Sequence, residues 1–94
     1  MQISPNNQVL ITSCLKSKAA QDSLMKVGVS KEKSVLVVAS LKKSVDRLYP
    51  QLSLTQKYQL ILDKVFDSAE MIAMQLNNRI NLSTILKNTL KKAN

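Results

Sequence analysis

Histidine is absent from this chain of 94 residues. That excludes Ser–His and Cys–His nucleophilic catalysis and any zinc site that relies on imidazole. The single cysteine, Cys14, can form no internal disulfide and cannot by itself anchor an iron–sulfur cluster. There is one glycine, Gly28, so no glycine-rich loop exists to cradle phosphates. Together with only two prolines, Pro5 and Pro50, that leaves too little punctuation for a protein of strands and turns. Tryptophan is missing, and Tyr49, Tyr58 and Phe66 are too few and too scattered to make a stacking platform for single-stranded nucleic acid. The longest apolar run, 35–39, is far short of a membrane span. With no secretory leader visible and one unpaired thiol, the expected setting is reducing and cytoplasmic.

What is present is apolar and basic. Hydrophobic residues make up 45% of the chain, enough for one modest core, and residues 1–94 are read as a single all-helical domain. Leu, Ile, Val, Met and Ala must supply that core. Fourteen Lys and Arg against six Asp and Glu give a formal net charge of +8. A field of that sign attracts nucleic acid, anionic lipid or an acidic protein. Only Arg47 and Arg79 are arginine, and lysine lacks the planar fork that reads guanine. The charge therefore favours loose electrostatic attraction over base readout.

Apolar spacing divides the chain into four helices, an all-α bundle. The first opens at Ser4-Pro5, a cap followed by proline at the first helical position. Leu10, Ile11, Cys14, Leu15, Lys18, Leu24 and Met25 continue it, with a pattern that loosens over 16–22, and Cys14 is read as a small core residue. Gly28 suits its C-terminal cap. The second begins at Ser30 and carries Val38, Leu41, Val45 and Leu48 on one face, ending before Pro50. Its β-branched stretch 35–38 leaves helix and strand both open over 34–39, with helix favoured by the longer period. The third is the long central amphipathic helix. Ser53-Leu54-Thr55-Gln56 has the form of a capping box. Leu54, Tyr58, Ile61, Val65, Ala69, Ile72 and Leu76 follow at spacings of three and four, and Leu62, Phe66, Ala73 and Met74 widen the stripe. The fourth, capped by Asn81, presents Leu82, Ile85, Leu86 and Leu90. The band on the third helix is wider than one partner helix needs, so either three helices surround it or a symmetric homodimer covers the remainder.

Val27-Gly28-Val29-Ser30 has the apolar–glycine–apolar–serine order of the turn in a DNA-reading helix-turn-helix. On that reading Lys31, Lys33 and Ser34 lead the second helix into the groove, and Lys42, Lys43 and Arg47 meet phosphates. Two positions depart from the pattern: Leu24 stands where a small residue belongs and Ser34 where an apolar one does. Charge is concentrated near this turn. From Lys16 to Arg47 there are eight basic and three acidic residues, a net of +5, while 57–70 carries −1 and 79–94 carries +4. The leading expectation is a small regulatory protein, not an enzyme, that binds nucleic acid mainly through phosphate contacts of its basic first half. The alternative is a protein-interaction module (adaptor, inhibitor, chaperone or immunity-type bundle) whose partner is an acidic protein or a membrane-associated complex.

No cofactor is expected. Asp63, Asp67 and Glu70 lie at i, i+4 and i+7 on the third helix, a spacing that suits a hard cation or a basic partner but reads first as a solvated face. The C-terminal segment 82–94 is amphipathic enough for a lipid surface or a partner groove, although docking on its own domain is the simpler expectation.

Overall fold

A computed structural model describes residues 5–91, with side chains from residue 10 onward. Four helices follow one another, α1 (Pro5–Lys26), α2 (Lys31–Leu48), α3 (Leu54–Asn77) and α4 (Leu82–Lys91), with no strand among the described residues. The expected all-α bundle is thus observed. The stretch 34–39 is helical: a lone strand would have no partner for its backbone groups, whereas the helix satisfies them internally.

The ends are set by local chemistry. Past α1, Gly28 takes φ +96°; its N–H donates to Met25 O at 3.0 Å and the N–H of Val29 to Leu24 O at 3.1 Å. That is the pair of bonds in a Schellman cap, and it needs a left-handed residue. A Cβ at this position would meet nothing within 4 Å, so the demand for glycine is one of backbone conformation alone. Ser30 caps α2, its hydroxyl accepting from Lys33 N at 3.2 Å. At α3 the capping box is complete. Ser53 Oγ accepts from Gln56 N at 3.2 Å, and Gln56 Oε1 accepts from Ser53 N at 2.9 Å. Asn81 Oδ1 accepts from Ser83 N at 2.8 Å before α4. The Ser4 cap expected for α1 lies outside the described residues.

Of the four, α3 is the centre, in contact with each of the other helices and most extensively with α1; among the described residues the backbones of α1 and α4 do not approach each other. Leu24, Leu41, Val45, Ile61, Val65, Ile72 and Ile85 are fully buried between them. Burying a side chain of that size contributes about 1.5 to 3 kcal/mol each. At roughly 1.5 Å per residue α3 is about 36 Å long, and it lies in a molecule of 49 × 26 × 21 Å.

Several expectations about faces are corrected. The first helix runs unbroken through 16–22, where the apolar pattern loosens, and it buries Ser13, Ala20 and Leu24. Leu10, Ile11, Cys14 and Leu15 point outward instead, so Cys14 is an exposed thiol and not a core residue. Small residues on the inward side let α1 lie against α3, and this turns the bulkier stripe to solvent. On α2, Val37 and Ser34 complete the buried face and Leu48 is half-exposed. On α3, Phe66 and Met74 are exposed, while Leu62 and Ala73 pack against the core. The fourth helix docks on its own domain through Leu82, Ile85, Leu86 and Leu90.

Candidate functional site

The six residues proposed for nucleic acid are not gathered on one surface. Lys43 and Arg47 lie a turn apart on the outward face of α2, both exposed. Lys31 and Lys33 are exposed at its first turn, about 15 to 18 Å along the axis from Lys43 at 1.5 Å per residue. Ser34 is fully buried, and its hydroxyl has no hydrogen-bond partner. It occupies the inward position that a helix-turn-helix gives to an apolar side chain, so it cannot lead a reading face.

Lys42 turns toward α3. Its ammonium donates to Asp46 Oδ2 at 2.7 Å, and Lys57 of α3 donates to Asp46 Oδ1 at 2.8 Å. The two ammonium groups hold the Asp46 carboxyl below its ordinary value of 3.8, mainly through these hydrogen bonds. Lys42 Nζ also lies 5.6 Å from the Tyr58 ring centroid. This lysine is part of the contact between α2 and α3 and is not a free phosphate ligand.

The outward face of α2 is apolar at its middle. At 3.6 residues per turn, Glu32, Leu36, Ala39 and Lys43 share one side, with Val35 and Arg47 flanking them. Val35 is 41% and Leu36 53% exposed. These are the positions a reading helix would press into a groove, and none between 34 and 41 can donate to a base edge except Ser40, which is only partly exposed. The chain matches no family model, no curated protein and no solved structure.

Two clefts adjoin α2. At its N-terminal end a cleft of about 700 Å³ runs past Gly28 and Ser30 to the end of α3, with Lys33 and Arg79 among its walls. At its C-terminal end a cleft of about 570 Å³ separates α2 from α4. No spacing or motif marks Arg79, which lines the first cleft because the turn after α3 places it there.

Asp63, Asp67 and Glu70 are all exposed, and Asp63 Oδ1 accepts from Gln59 Nε2 at 2.8 Å. Among the described residues no group of three or more potential metal ligands is close enough to hold an ion. Nor is any described helix long and apolar enough to cross a membrane.

Proposed function

We propose that this protein is a non-enzymatic interaction module whose partner is an acidic protein. The observation that carries this reading is the outward face of α2, where exposed Val35 and Leu36, with Glu32 beside them, lie between Lys31 and Lys33 at one end and Lys43 and Arg47 at the other, a surround that is basic on balance. Apolar anchors within a cationic surround suit a partner that offers apolar side chains and carboxylates together. A phosphate backbone has no use for the anchors. The exposed thiol of Cys14 supports a reducing, cytoplasmic setting.

Nucleic acid is the second reading, supported by the net charge of +8 and by the exposure of Lys31, Lys33, Lys43 and Arg47. A homodimer belongs to the same proposal, since the outward stripe of α1 is left uncovered within the chain.

The two readings separate by salt. A labelled helical peptide bearing Leu on one face and Glu on its flanks is compared with a labelled random duplex, by fluorescence anisotropy at about 50 and 200 mM salt. The peptide is expected to stay bound at the higher salt, because burial of apolar surface is not screened. Duplex binding is expected to be weak and to vanish. Sub-micromolar duplex binding that falls by orders of magnitude with salt, and is lost in Lys43→Glu/Arg47→Glu, would reverse the assignment. That pair is the cleaner choice, because reversing Lys42 would also break the Asp46 clamp.

A further inference from the structure

The cleft between the C-terminal end of α2 and α4 has an apolar floor and a rim of one sign. Leu48, Tyr49, Leu86 and Leu90 form the floor. Arg47, Lys87 and Lys91 stand around it, and the remaining lining residues are two serines, with no carboxylate. The acidic residue closest in sequence on α2, Asp46, is held between Lys42 and Lys57. On the other wall, no acidic residue occurs anywhere after Glu70. Among the described residues, no carboxylate lines the recess that these three cations face.

Its floor is also unfinished. Leu86, Leu90 and Tyr49 pack against the core, but Leu48 stays 50% exposed although it lies one turn past buried Val45. The volume, about 570 Å³, falls within the range of ligand clefts.

We infer that this cleft is the docking groove for an amphipathic acidic helix of a partner protein, whose apolar residues enter over Leu48 while its carboxylates meet Arg47, Lys87 and Lys91. The inference rests on the interaction-module reading and gives that partner a shape. Charge complementarity selects acidic flanks, and the recessed apolar floor selects protruding anchors at i, i+3 or i+4. A flat anionic lipid surface would instead call for apolar side chains that stand proud of the cations.

The test uses the whole chain and the labelled Leu/Glu peptide, with a Lys-for-Glu version, a Ser-for-Leu version, and phosphatidylglycerol vesicles as comparators. The Leu/Glu peptide is expected to bind at least about tenfold more tightly than either altered peptide. Leu48→Asp and Lys87→Glu/Lys91→Glu should each weaken it by about tenfold or more, while Phe66→Ser on α3 leaves it unchanged. All three alter exposed side chains, and circular dichroism confirms that each variant is helical. Peptide binding that survives both groove changes would overturn the groove while leaving the module reading intact. A Leu/Glu peptide that binds no better than its Ser version would remove both. Vesicle binding lost in Leu48→Asp, with peptide binding retained, would assign the groove to lipid and overturn the inference.

Discussion

Arg79 has a left-handed backbone, φ 59°, the only such non-glycine residue among those described. Its N–H donates to Leu76 O at 3.1 Å and the N–H of Ile80 to Gln75 O at 2.9 Å, so α3 ends in the same pair of bonds as α1. At the end of α1 the left-handed place is filled by Gly28; here a residue with a Cβ fills it. A left-handed residue other than glycine costs about 1 to 2 kcal/mol, and glycine recovers that less its own unfolded-chain entropy. Arg79→Gly is therefore expected to stabilise the fold by about 0.5 to 1 kcal/mol, raising Tm by about 2 to 8 °C. Thermal melts of the two proteins at one salt concentration check this, and a lower Tm in the variant would mean the arginine side chain contributes more than its backbone costs. Nothing in Asn77-Asn78-Arg79 announces the conformation; Asn78 was the more natural stop, and it remains right-handed as the C-cap.

Elements were legible where their signals are local. Gly28 by its backbone freedom, and Ser30, the Ser53–Gln56 box and Asn81 by side-chain hydrogen bonds, mark ends within a single turn, and each acts as the residues suggest. Facing is not local. Which side of α1 turns inward depends on how closely α3 approaches, and small Ser13 and Ala20 won over bulkier Leu10 and Leu15. The candidate site suffered for the same reason. Lys42 is a surface cation by sequence, yet Asp46 and Lys57, eleven residues apart and on different helices, draw it into a clamp. That clamp has a pH signature. A carboxyl held below its ordinary value in the folded state binds protons less readily there than in the unfolded chain. Its stabilisation is present above 3.8 and is lost as pH falls through the lowered folded value. Asp46→Asn should therefore melt below the parent at pH 7, and the gap should close progressively once the pH drops beneath 3.8. Melting curves from pH 7 down to about 2 give the comparison. A gap that stays constant across that range would show that the carboxylate's charge contributes nothing to joining α2 and α3.

At the scale of the whole molecule, two tendencies oppose each other. Leu10, Ile11 and Leu15 form an outward stripe on α1, each more than half exposed, and Met25, 37% exposed, lies farther along beyond Lys18 and Asp22. A contiguous apolar strip of this kind favours contact with another surface, and a second copy offers an identical one about a two-fold axis. Each copy carries +8, however, and Lys18 lies on the same side of α1, so two copies repel. Repulsion between exposed charges is screened within about 10 Å at 0.1 M salt and about 3 Å at 1 M, whereas the apolar contact is not. Salt should therefore favour pairing, the opposite of its effect on binding to a polyanion. Sedimentation velocity is expected to give a monomer of 10.5 kDa at low salt and a species of about twice that mass near 1 M. Leu10→Ser/Leu15→Ser should stay monomeric at both. Both side chains are more than half exposed, and far-ultraviolet circular dichroism in the same samples separates loss of the pair from loss of the fold. A monomer at both salts in the parent protein would leave the stripe without a second copy as its cover. A pair that survives both serines would move the two-fold contact off this stripe, to the exposed apolar residues of α2 or α3.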